Sequence, residues 1–288
     1  MKSFLLMVGF FTRLPVPQIE FTEERYRKAA KLLPLVGLAV GAILVLVSAI
    51  GLVTPPMIRG AVLACAYIIL SGGLHFDGLA DTCDGVFSGR SREQSLEIMK
   101  DSRIGVFGTL GIFMVGLLYF ALLTAAPAPA LLVFPVCGRA CCLLSASLAP
   151  YARADGMGKA TGLSGGPAAV ISAIASLVCA SFLTVPLLML VSRFAAASGL
   201  AVPAVAVPAG SPMPSALPVG IFADNIFVAV VFCSLIAAAV SVFVTVRMTV
   251  RLKAKLGGVT GDTFGAVIEV SSIVYLLVSV IAYQVLTV

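Results

Sequence analysis

The sequence predicts an all-α fold: a polytopic integral membrane helical bundle of about seven transmembrane helices with a cytoplasmic N-terminus. Three observations carry this expectation. The 288-residue chain is 60% hydrophobic and only 11% charged, against about 45–50% apolar and about 25% charged residues in ordinary soluble domains. A soluble core of this length cannot bury so much apolar surface, and disorder needs the opposite composition. Stretches of about 20 largely apolar residues, the length that crosses a bilayer, recur at 32–54, 57–76, 104–126, 131–150, 167–192, 219–246 and 266–288. Finally, sixteen of the nineteen Lys and Arg residues fall in alternate loops on one side, as cytoplasmic loops require.

The elements follow in order. Residues 1–31 carry Lys2, Arg13, Arg25, Arg27, Lys28 and Lys31. The short apolar run Phe4 to Phe11 leads into Arg13-Leu14-Pro15-Val16-Pro17 rather than a small-residue cleavage site, so no secretory signal is read there. The spans are apolar all round, which favours burial in lipid over an amphipathic soluble bundle. Between them, the basic side holds Arg90, Arg92, Lys100 and Arg103, then Arg153 and Lys159, then Arg247, Arg251, Lys253 and Lys255. The opposite side has Arg59 and Arg193, and Arg139 lies inside the fourth span. The uncharged Ala/Pro/Ser/Val stretch at 195–218 reads as a flexible connector on the non-cytoplasmic side. The whole of 1–288 reads as one membrane-embedded domain. The net charge of +6 is accounted for by these loops, so no nucleic-acid partner is expected. Six of the seven cysteines sit in apolar runs with no metal-binding spacing.

Chemistry concentrates after the second span, in Gly72-Gly73-Leu74-His75-Phe76-Asp77-Gly78-Leu79-Ala80-Asp81-Thr82-Cys83-Asp84-Gly85. Asp77, Asp81 and Asp84 stand at i, i+4 and i+7, which on a helix continuing the second span stacks three carboxylates on one face. Like charges so placed repel. A hard divalent cation offsets them, and carboxylates together with substrate phosphates are the usual Mg²⁺ ligands; a solvated acidic helix end is the bland alternative. His75, the single histidine, reads equally as a proton carrier, a hydrogen-bond donor to substrate or a structural residue.

A short amphipathic helix is expected from Ser91 to Met99, with Leu96 and Met99 facing the membrane. Lys100-Asp101-Ser102-Arg103 then abuts a glycine-spaced helix start, where free backbone N–H groups and basic side chains favour an anion. Acidic face, cations and a polyphosphate together are what phosphoryl transfer needs; for Arg90 and Arg92, plain loop anchoring is the alternative. Two further polar segments fall on the same side, Tyr151 to Lys159 with Thr161-Gly162, and Gly257 to Gly265 leading to Glu269. Glycine there permits close ligand approach or simply makes turns. Asp262 and Glu269, seven apart, share a helix face. Arg139 and Glu269 are ionisable groups within spans and hence functional candidates, or a mutual ion pair that holds the bundle. Transporters tend to place their ionisable residues near the midplane, whereas nearly every catalysable side chain here lies at one cytoplasmic interface, which favours an enzyme.

Phe11-Thr12-Arg13-Leu14-Pro15-Val16-Pro17, the run from His75 to Gly85, Leu96 to Arg103, Gly261-Asp262-Thr263, and Tyr151-Ala152-Arg153 with Gly156-Met157-Gly158 resemble segments of the cobalamin (5′-phosphate) synthase family, the adenosylcobinamide-GDP ribazoletransferases. The likeness runs in order along almost the whole chain. It implies a multi-pass enzyme of the cell inner membrane with its active site facing the cytoplasm. Such an enzyme joins adenosylcobinamide-GDP to α-ribazole or α-ribazole 5′-phosphate and releases GMP, with Mg²⁺ as cofactor. Phe76, Val106 and the 195–218 stretch depart mildly from the family pattern without removing a candidate ligand.

Motif and resemblance together assign Asp77, Asp81 and Asp84 to one or two Mg²⁺ ions, with Asp262 completing the metal site or contacting the nucleoside. Arg103 and Lys100, with Arg90, neutralise the departing GMP. Arg153, Lys159 and Arg139 are the remaining basic candidates. Asp101 or Asp84 orients or deprotonates the attacking hydroxyl, with His75 a third candidate; on paper these roles interchange. Asn at 77, 81 or 84 is expected to cost activity and spare folding alike. A homo-oligomer, or a complex with other nucleotide-loop assembly enzymes, stays open. Two rivals are a CDP-alcohol phosphotransferase, whose motif has Ala-Arg where Ala80-Asp81 stands here, and a cation or solute transporter.

Overall fold

The computed structural model describes residues 2–153, 166–198 and 223–287. Its helices are α1 (Lys2–Phe11), α2 (Glu23–Ala29), α3 (Leu33–Val47), α4 (Pro56–Ser71), α5 (Leu74–Phe87), α6 (Arg92–Ile98), α7 (Val106–Ala125), α8 (Ala128–Leu148), α9 (Pro167–Ser198), α10 (Ala223–Leu256) and α11 (Gly261–Thr287). Short 3₁₀ turns at Ala30–Leu32 and Ser48–Leu52 flank α3, so that Glu23–Leu52 is one continuous helical segment, charged at its start, with an apolar stretch long enough to cross a membrane. Among the described residues there is no strand, and six helices are long and apolar enough to cross a membrane. The bent pair α4–α5 makes a seventh candidate. The expected connector at 195–218 lies outside the described residues except for its first four positions, which continue α9.

Helix α8 is the axis of the bundle. It packs against α3, α9, α10 and α11, and nearly all of its residues from Pro129 to Ala146 are buried. Its small residues make this closeness feasible, and the neighbours supply more. Gly37 and Gly41 of α3, one turn apart, have no room for a Cβ against the backbone of Pro135 and Leu132. In lipid, where no hydrophobic drive separates helix from tail, such close backbone approach is what holds helices together.

The second span does not run on into the acidic motif. It ends at Gly72 and Gly73, whose φ of 63° and 73° lie in the left-handed region open to glycine. Their N–H groups close α4 onto Ile69 and Ile68 carbonyls, as in a helix-terminating glycine cap. The chain then turns by 88° into α5. The i, i+4, i+7 spacing therefore survives, on a separate helix laid across the end of α4. The expected 91–99 helix forms as α6, with Ser91 as N-cap and a capping box to Gln94. Met99 and Leu96 turn inward rather than to the membrane: Met99 is buried against Gly85 of α5, and Leu96 packs on the core. Gly85 leaves a slot on α5 that a side chain from α6 fills.

Candidate functional site

Helix α5 is pinned across α11 by two glycines. A Cβ on Gly78 would sit 2.6 Å from the Asp262 carbonyl oxygen, and one on Gly265 would sit 2.9 Å from that of His75. This crossing brings Asp77 and Asp81 beside the first turn of α11, where Asp262 stands. That turn is closed by Thr260 and Thr263, each hydroxyl accepting the other's backbone N–H at 3.3 and 2.8 Å. The reciprocal pattern is a capping box with threonine in both places.

Three loops meet at this end. Residues after α8 pair with those before α11: the Ala152 N–H donates to the Val259 carbonyl at 2.8 Å, and the Val259 N–H to that of Pro150 at 2.9 Å. The pairing delivers Arg153 to Asp262, with guanidinium to carboxylate 2.9 Å and side-chain exposures of 16% and 23%. Arg92 of α6 then staples both segments of this junction, donating to the carbonyls of Leu256 at 2.8 Å and Ala152 at 3.1 Å. Lys255 donates to the Arg90 carbonyl at 2.7 Å. The sequence offered Arg92 only as phosphate contact or loop anchor; its spacing carries no sign of a staple to partners 60 and 164 residues away.

The three aspartates of the motif part company here. Asp84 accepts the backbone N–H groups of Gly105 and Gly108, both at 2.8 Å, and so caps the start of α7, where a carboxylate is favoured by orphan donors and helix dipole alike. Asp77 is exposed and Asp81 half-buried, and neither carboxylate has a hydrogen bond or ion pair among the described residues. They are the free carboxylates of the site, one turn apart. Lys100 is likewise exposed without a partner.

Asp101 is paired with Arg103 at 2.6 Å, and its carboxylate also accepts the Arg103 backbone N–H at 3.0 Å. These contacts hold its pKa down to about 2. Such a carboxylate is ionised at every working pH and is a poor proton acceptor.

His75 and Arg139 lie inside the bundle, not on the open face. His75 is buried beside the Phe11 ring, with centroids 6.0 Å apart, and its Nε2 has no partner. Arg139 is fully buried and donates to the Pro135 carbonyl at 3.1 Å. It forms no ion pair with Glu269. Instead Glu269 accepts the hydroxyls of Tyr119 at 2.6 Å and Tyr67 at 3.2 Å, tying α11 to α7 and α4 in the core. Two tyrosines inside apolar spans were the available signal for this tie. Lys159 lies outside the described residues.

Among the described residues no three His, Cys, Asp or Glu side chains converge as a metal cage. Two free, hard carboxylates one turn apart still fit Mg²⁺, which is ordinarily held by one or two carboxylates plus substrate phosphates.

A family profile described as cobalamin-5-phosphate synthase matches residues 3–209 and 204–280. The chain belongs to this family. A relative named adenosylcobinamide-GDP ribazoletransferase from Fusobacterium nucleatum is 33% identical, covering 96% of each chain. Proteins of the same name from Acetivibrio thermocellus and Alkaliphilus oremlandii are 50% and 45% identical over 55% and 56% of this chain, and 67% and 66% of theirs. No solved structure matches. Every described segment that carries the site, from α5 to the first turn of α11, falls within the matched residues.

Proposed function

We propose that this chain is the membrane transferase that joins adenosylcobinamide-GDP to α-ribazole or its 5′-phosphate and releases GMP. Family membership supports the reaction, and one observation supports the place: Asp77 and Asp81 stand unpaired at the crossing of α5 and α11, beside the Arg153–Asp262 pair. In this reading the two carboxylates hold Mg²⁺, which when bound neutralises the pyrophosphate and polarises the bond that breaks. Lys100 and Arg90 reach phosphate oxygens from the α6 side, and Arg103 does so with the guanidinium N–H groups that its pairing with Asp101 leaves free. Arg153 holds Asp262 against the site. The attacking ribazole hydroxyl loses its proton to an oxygen of Asp77 or Asp81, because Asp84 is engaged by α7 and Asp101 by Arg103.

Purified protein given GDP-cobinamide and α-ribazole should release GMP only when both substrates and Mg²⁺ are present. It should stop with excess chelator, since stacked carboxylates and polyphosphate repel without a cation. GMP release undiminished in chelator would remove the metal, and no GMP under any condition would remove the reaction.

The positive-inside bias supports a cytoplasmic N-terminus and a cytoplasmic site in the cell inner membrane. A reporter fused after Ala209 should be reached from outside, and one inserted near Ser91 should not. The reverse labelling would overturn this orientation.

A further inference from the structure

On the side of α5 turned away from Asp77 and Asp81, a cavity of about 550 Å³ opens between α5, α10 and α11. Its walls are apolar, with Val86 and Phe87 from α5, Phe243 from α10 and Val270 from α11. The one hydroxyl in the lining, that of Thr82, is spent within its own helix on the Gly78 carbonyl at 2.7 Å. The polar end consists of Arg247 and Arg251, one turn apart on α10 and so on one face. Both are exposed, and neither has an ion pair or hydrogen bond among the described residues.

We propose that this groove binds an anionic phospholipid, with an acyl chain along the apolar wall and the headgroup phosphate on Arg247 and Arg251. The volume falls within the usual range of ligand sites, about 300–1,000 Å³. The groove opens beside Phe243 and Phe87, which are 64% and 63% exposed, on helices counted among the membrane-crossing candidates. Lipid tails are therefore the solvent that reaches it. Charge complementarity selects the lipid: two unpaired guanidiniums at the end of an apolar slot match a phosphate carrying net negative charge. A zwitterionic headgroup offers its own cation to repel them. Two arginines acting on an anionic headgroup favour it over a neutral one by on the order of thirtyfold.

The chain has no tryptophan, so Phe243→Trp places a single fluorophore at the groove. This variant of the full chain would be reconstituted in phosphatidylcholine vesicles holding a small fraction of brominated phosphatidylglycerol or, in parallel, of brominated phosphatidylcholine. Quenching by the anionic lipid should exceed that by the neutral one several-fold, and adding Arg247→Gln and Arg251→Gln should make the two equal. A tryptophan at Phe113, on the exposed face of α7, should show no preference. Equal quenching at the groove with both arginines present, a preference that persists in the double Gln variant, or one abolished by millimolar inorganic phosphate would each overturn the proposal. The last result would mark a site for soluble anions. None of these readings depends on turnover, so the lipid site and the transferase reading stand or fall separately.

Discussion

Asp77→Asn and Asp81→Asn should each lower GMP release by roughly a hundredfold or more, with the amount of folded, extractable protein unchanged. Each change deletes one negative charge while keeping size and shape. If the two carboxylates hold the cation, the lost stabilisation of transition-state charge is several kcal/mol, at about 1.4 kcal/mol per decade of rate. Neither carboxylate bonds to the protein, so folding has nothing to lose, and relief of like-charge repulsion favours it. Initial rates measured alongside size-exclusion profiles separate the effects. Near-wild-type rates in either variant would take that residue out of the site, and loss of folded protein in step with activity would make the acidic face structural.

Asp84→Asn should behave in the opposite way, because its carboxylate has backbone partners that those of Asp77 and Asp81 lack. Each Asp84 oxygen takes one backbone N–H at the start of α7. An asparagine can offer its oxygen to one of them, and must then turn its own NH₂ toward the other. Losing a charge-assisted bond and leaving a half-buried donor unmatched costs roughly 2–4 kcal/mol. Asp84→Asn should therefore reduce the fraction of protein surviving a heat challenge in detergent, and activity should fall only with that fraction. A variant as heat-stable as wild type but inactive would return Asp84 to the chemistry.

The difference between these aspartates marks where sequence reading stops. Side-chain periodicity shows that Asp77, Asp81 and Asp84 share a face, and it holds even though α4 breaks at Gly72–Gly73, because α5 restarts the same period. What Asp84 does was hidden because its partners are backbone N–H groups of Gly105 and Gly108, which carry no side-chain signature. The convergence of the 150–153 and 257–262 segments was legible only as common sidedness. Their actual meeting rests on main-chain bonds around Val259 and on Arg92, a residue whose sequence context also suits an ordinary loop cation. Arg139 and Glu269 read as functional candidates or, alternatively, as an ion pair, because two opposite charges in apolar spans seek partners. Tyr67 and Tyr119 instead satisfy the glutamate, since a hydroxyl on a neighbouring helix meets a buried carboxylate without a second buried charge.

Asp77 and Asp81 are proposed to hold a divalent cation jointly with the substrate's pyrophosphate. Electron paramagnetic resonance of Mn²⁺ with the full chain and GDP-cobinamide tests this most directly. The wild type should immobilise Mn²⁺ only when the nucleotide substrate is present, and an Asp77→Asn/Asp81→Asn double variant, folded and extracted in equal amount, should leave it free. Equal Mn²⁺ uptake by the two proteins would contradict the claim.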